Sequence, residues 1–171
     1  MIVSRKFFPF ALAVYGALCA TSAASAQTDT AAAHPNFSGR WRMVKDKSDF
    51  ARAAMPDMII RVVDQQGVTM NVHTIQTTGT TTKTADVSYF IDGSPSTNVI
   101  NNHQATSKTF WDGSVLEVRT TMKLSNGDDE LIEDRWELSD NGNTLTTTSH
   151  VSTPKGGTIL KLVCEKEKTG S

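Results

Sequence analysis

Cysteine is almost absent from this chain of 171 residues, occurring only as Cys19 and Cys164. With Cys19 in a segment read below as a removable leader, Cys164 is left without an intramolecular partner, and no internal disulfide can form. Long apolar runs are missing too. The run in "ALAVYGALCA", which follows Arg5 and Lys6, falls short of the roughly 20 residues that a spanning helix needs. Closed by Ala24, Ser25 and Ala26, residues 1–26 read as a signal peptide. Leu18 is large where a lipidation signal takes a small residue before its cysteine, so plain export to the periplasm or the extracellular space is favoured over a lipid anchor.

There is no basic block and no interleaving of basic with aromatic residues. Without Arg5 and Lys6 the chain keeps 15 basic against 18 acidic side chains, a net charge of about −3. Nucleic acid, whose phosphates demand clustered Lys and Arg, is not an expected partner. No EF-hand, P-loop, G-x-S-x-G or zinc-ligand spacing occurs. His34, His73, His103 and His150 are too scattered for a metal site and read as surface or rim residues. The acids of "GDDE", Gly127–Glu130, read as a solvated hairpin loop. No cofactor, metal or catalytic constellation is expected.

What the chain does contain is regular punctuation. After a small polar tail over 27–35, glycines recur at Gly67, Gly79, Gly93, Gly113, Gly127, Gly142 and Gly156. Five of these lie in Asp-Gly, Asn-Gly or Gly-Gly pairs, which tolerate the positive φ of tight hairpins. The intervening segments are rich in Val, Ile, Thr and aromatics, which suit a pleated surface. In "SVLEVRTTMKL" Leu116, Val118, Thr120, Met122 and Leu124 share one face, with Glu117, Arg119, Thr121 and Lys123 on the other. "DELIEDRWELS" likewise puts Ile132, Asp134, Trp136 and Leu138 together.

These segments make nine strands, or ten if the longest interval divides near Ile100–Asn102. Only "KDKSDFARAAM" suits a short helix, capped by Ser48 or Asp49 and stopped before Pro56. The expected fold over 36–168 is all-β: an up-and-down antiparallel barrel with one short helix or loop after the first strand. A two-sheet sandwich is the alternative. Glu117, Arg119, Lys123, Glu133, Arg135 and Glu137 on the outward faces exclude a membrane barrel, where Arg or Lys at mid-strand costs roughly 2–4 kcal/mol.

Phe37, Gly39 and Trp41 form the F-x-G-x-W opening that resembles the calycins, the superfamily of lipocalins and fatty-acid-binding proteins. Trp136–Thr146 is similar to a hairpin of small secreted bacterial lipocalin-like proteins of unknown function. The resemblance spans Phe37–Lys166. It implies a closed barrel with Trp41 plugging one end and a cavity for a small apolar molecule. Gly39 beside it allows close approach of backbone.

The departures from that family are specific. Lys45–Pro56 is too short for the two lid helices of fatty-acid-binding proteins. Their Arg-x-Tyr pair on the last strand aligns with Leu162 and Cys164. The lipocalin Arg that packs on the end Trp is also missing, with Lys161 as the nearest cation. A fatty-acid assignment therefore does not follow.

Asp134 is the local oddity, a carboxyl among apolar neighbours where burial raises its pKa. A paired or rim-solvated Asp, a ligand-recognition group and a general acid or base are the three readings. Cys164 alternates with Leu160 and Leu162 and reads as a small buried hydrophobe. Thr147 and Ser149 share the Leu145–Val151 face and make the interior partly polar. The expected function is binding of a small, mainly apolar molecule, lined by Met70, Val118, Thr120, Met122, Asp134 and Trp136. The alternatives are a filled barrel serving as an envelope interaction module and, last, a barrel-pocket isomerase or hydrolase using Asp134.

Overall fold

The computed structural model describes residues 34–168. The expected signal peptide over 1–26 and the part of the expected tail before His34 lie outside the described residues. Alternating segments form ten strands: β1 Gly39–Met43, β2 Met58–Gln66, β3 Thr69–Thr78, β4 Thr81–Phe90, β5 Ser96–Ile100, β6 His103–Asp112, β7 Val115–Lys123, β8 Asp129–Ser139, β9 Thr144–Thr153 and β10 Gly156–Lys166. They make one antiparallel sheet in the order β4-β3-β2-β1-β10-β9-β8-β7-β6-β5. The architecture is the expected up-and-down barrel, nearly closed.

The long interval does divide. Asn101 and Asn102 both adopt positive φ, 49° and 68°, and so turn β5 into β6 without glycine.

Register fixes which side chains enter the barrel. The rows Trp111–Leu116–Trp136–Thr147–Leu162 and Thr109–Val118–Asp134–Ser149–Leu160 run across β6 to β10 on the inner face. Opposite them, Trp41 pairs with Arg61 and Arg61 with Thr74, so Arg61 also points inward. On the outer face, cross-strand neighbours carry opposite charge: Glu117 with Arg135, Arg119 with Glu133 at 2.9 Å, and Lys123 with Asp129 at 2.8 Å. Each such exposed pair contributes at most about 1 kcal/mol, yet together they oppose a one-residue slip that would turn these charges inward.

Of the short helix or loop expected in "KDKSDFARAAM", the structure has the loop, with one 3-10 turn. A single 3-10 turn, Lys45–Lys47, precedes Ser48, and Asp49 makes a β-bridge to Lys161 instead of capping a helix. Two backbone hydrogen bonds of 2.7 Å to Lys161 hold Asp49 extended, so tertiary pairing overrides local capping preference. Phe50, the next residue, packs against the core.

The seam between β4 and β5 has no strand ladder. The Asn98 side chain stands in for one: it accepts from Ser88 N–H at 2.8 Å and donates to Ser88 C=O at 3.0 Å. Further along, Thr109 Oγ1 donates to Phe90 C=O at 2.6 Å and Trp111 Nε1 to Ile91 C=O at 2.9 Å. Replacing Asn98 by alanine should speed hydrogen exchange of the Ser88 amide by about tenfold, the worth of one hydrogen bond, while β8 and β9 amides stay unchanged. Unchanged exchange at Ser88 would show that the seam does not depend on this side chain.

Candidate functional site

The inner face divides into a packed end and a more open end. At the packed end Phe37, Trp41, Met70, Leu116 and Cys164 are wholly buried and Trp136 is 2 % exposed. Trp41 donates its indole N–H to Phe37 C=O at 2.9 Å. The Phe37 ring stacks against Trp111 at 6.1 Å and meets the Trp136 ring edge-on at 5.9 Å. His34 stacks on Trp111 at 4.0 Å, so the last residues of the expected tail pack onto the barrel end.

The cation over Trp41 is Lys166, with Nζ 5.1 Å from the ring, and not Lys161 as expected from the sequence. Trp41 and Lys166 are register partners on the inner face, whereas Lys161 faces outward beside Asp49. Gly39 makes this contact feasible, because a Cβ there would stand 2.5 Å from Lys166 Cε, and its φ of +150° is one that residues with side chains rarely adopt. Gly39→Ala should displace Lys166 and lower stability by about 1–2 kcal/mol, read from urea unfolding. A variant as stable as the parent would contradict this packing.

Arg61 caps the packed end. Its guanidinium lies 4.7 Å from the Trp136 ring centroid and donates through NH1 to Thr147 Oγ1 at 3.0 Å, reaching from β2 across the lumen to β8 and β9. Beyond it the inner-face side chains Thr74, Val87, Ile132, Asp134, Ser149 and Leu160 keep partial exposure. Smaller hydroxyl side chains line the β5–β7 wall there, with Ser107 and Thr120 hydrogen-bonded at 2.8 Å.

Asp134 lies in this layer. Ser149 Oγ donates to its carboxylate. Burial pushes its pKa above the ordinary carboxylate value, while the Ser149 hydrogen bond and the charge of Arg61 pull it partly back. Asp134 is thus paired with Ser149 on the inner face. Tyr89, buried on β4, has its phenol pushed up by burial and then by the nearby Asp134 charge. Burial pushes the Cys164 thiol up to about 11 against the opposing pull of Arg61, leaving it an unreactive packing residue.

All six residues expected to line a cavity sit at inner-face positions, but at different depths. Met70 and Trp136 belong to the packed end, Val118 and Asp134 to the middle, Thr120 and Met122 to the side nearer the open end. Arg61 escaped the sequence reading, although Ile59, Arg61 and Val63 form the same apolar-flanked pattern that singled out Asp134. Phe37 and Trp41 are wholly buried, and Gly39 lies against Lys166.

Among the described residues no group of three His, Cys, Asp or Glu side chains converges. His73 is an outer-face residue, paired with Asp86 at 2.6 Å. In the "GDDE" hairpin, Asp128 pairs with Lys155 at 3.1 Å and Asp129 with Lys123. An outer-face cleft of about 270 Å³ is lined by Phe110, Arg119, Glu133, Arg135 and His150, and its arginines are already engaged in the ion pairs described above.

No protein-family model and no curated protein sequence matches the chain. Solved structures do. A secretory abundant heat soluble protein from Ramazzottius varieornatus is 17% identical, with TM-score 0.56 over 76% of this chain and 94% of that one. The zebrafish ileal bile acid-binding protein complexed with cholic acid is 14% identical, with TM-score 0.52 over 77% and 98%. Lipid binding protein 8 of Caenorhabditis elegans, without ligand, is 12% identical, with TM-score 0.53 over 77% and 95%. At these identities the likeness is one of fold. In topology and near-closure the chain shares the fold of these structures, an up-and-down antiparallel β-barrel.

Proposed function

We propose that this is an exported carrier, working in the periplasm or outside the cell, that holds one small and mainly apolar molecule in the open half of its barrel. The observation that carries the reading is the contrast along the inner face. One end is filled by Phe37, Trp41, Trp111 and Trp136, while Arg61, Asp134, Ile132 and Val87 keep partial exposure beyond it. Apolar walls with a few placed polar groups are what small-molecule sites use to hold and orient a ligand. Val118, Thr120, Met122 and Asp134 would contact the molecule, with Arg61 and Trp136 as the floor and Met70 supporting that floor from below.

Two similar structures, the bile acid-binding protein and lipid binding protein 8, are named for binding, which supports carriage over catalysis. Fold alone does not decide function, so the lumen chemistry has to carry the argument. Native mass spectrometry of the protein purified from its own host tests it. A reproducible bound mass below about 1 kDa is expected. A uniformly ligand-free protein would favour a filled barrel used as an envelope interaction module.

A further inference from the structure

Among the described residues three buried side-chain polar atoms lack a hydrogen-bond partner: Arg61 Nε, Trp136 Nε1 and, on the β5 wall, Ser96 Oγ. Arg61 Nε and Trp136 Nε1 are both buried and neither is hydrogen-bonded within the barrel, although Arg61 NH1 on the same guanidinium is. Trp136 itself is 2 % exposed. The guanidinium lies over the indole at 4.7 Å, which puts the two side chains in contact where the packed end of the barrel gives way to the partly exposed layer. A buried donor without a partner costs on the order of 1–3 kcal/mol, and a site that leaves two such donors together favours a molecule bringing an acceptor.

The charge of that acceptor follows from the neighbours. Asp134, one inner-face position beyond Trp136 on β8, already sets a carboxyl within the field of Arg61. Asp134 is bonded to Ser149 and makes no direct ion pair with Arg61, and a second carboxylate would face Asp134 across a poorly hydrated space. What the layer lacks is a hydrogen-bond acceptor without charge. Of the hydroxyls on the wall, Ser107 and Thr120 are bonded to each other, Thr109 donates to Phe90 C=O, and Ser96 Oγ is unpaired.

We propose that the floor of the lumen is a recognition site for an uncharged carbonyl oxygen, such as that of an ester or ketone, on an otherwise apolar molecule, accepted by Arg61 Nε–H and Trp136 Nε1–H. The proposal rests on the carrier reading and gives it a ligand class. It sets the site apart from a carboxylate grip on the last strand, where Leu162 and Cys164 offer no donor for one.

The test uses competition for the fluorescent ketone Nile red at pH 7.5, with methyl decanoate and decanoate as matched competitors. The parent protein should bind the ester about tenfold more tightly than the carboxylate. Trp136→Phe keeps an aromatic ring, smaller than indole, and removes the N–H, and Arg61→Lys keeps the charge but removes Nε. Each should weaken the ester by about three- to tenfold and leave decanoate within about twofold. Circular dichroism identifies a variant that fails to fold, and the other variant then decides. Equal or tighter binding of decanoate, or ester affinity unchanged in a folded variant, would overturn the proposal while leaving carriage intact. If Nile red and both competitors fail to bind the parent, the carrier reading falls and takes this inference with it.

Discussion

Replacing Trp41 by alanine should lower the stability of the barrel by about 3–5 kcal/mol, the usual cost of emptying a large buried aromatic site. Trp41 has no solvent exposure and is one of the largest wholly buried side chains. Its loss would open a cavity at the end where Phe37, Trp111 and Trp136 interlock, orphan the Phe37 carbonyl and leave Lys166 without the ring beneath its ammonium. With no second cysteine in the described domain, no disulfide offsets that loss. In thermal unfolding the melting temperature should fall by about 10 °C or more. Trp41→Phe separates the two contributions: most of the packing remains and the indole hydrogen bond goes, for a loss of about 1–3 kcal/mol. A loss below about 1 kcal/mol in Trp41→Ala would show that the end of the barrel is held by other contacts.

The second large effect is in the pH dependence of stability. Asp134 has a folded-state pKa above its ordinary value, so between the two values the native barrel retains a proton that the unfolded chain has released. The native state binds the extra proton, and stability therefore falls as pH rises from the unfolded value through the folded one. Below that window both states are protonated and the group contributes nothing. Asp134→Asn removes the titration while leaving an oxygen to accept from Ser149.

The stability of the variant relative to the parent should then rise across that window and level off above it. Loss of the carboxylate beside Arg61 shifts the whole curve without changing this pH-dependent part, so the slope is the informative quantity. Parallel curves for parent and variant, from urea unfolding at pH 3 to 8, would contradict the buried environment assigned to Asp134.

Strand alternation made most of the barrel legible in advance, because a period of two names the face of every residue once one is known. Leu116 to Leu124 and Ile132 to Leu138 needed no further information. The same logic applied to Leu160, Leu162 and Cys164 puts Lys166 on the inner face, while distance along the chain pointed to Lys161. Arg61 was hidden for a related reason. "DMIIRVVD" is apolar on both faces, since Ile60 is buried as well as Ile59 and Val63, and alternation marks no inside when neither side is polar. Asp49 shows the opposite limit. Its capping preference is local, whereas its actual partner Lys161 lies over a hundred residues away and becomes a neighbour only when β1 meets β10. The β4–β5 seam was equally invisible, because a side chain imitating a peptide group has no periodicity to reveal it.

A titration with Nile red compares the lumen and the outer surface most directly, using Thr74→Phe to fill the inner face beside Arg61 and Thr106→Phe as an outward-facing control on β6. The parent and the Thr106→Phe variant should bind one dye per barrel with the same affinity, and the Thr74→Phe variant should bind at least about tenfold more weakly, since a phenyl group would occupy the ligand's space. Equal binding by all three proteins, or no saturable binding by the parent, would contradict a ligand site inside the barrel.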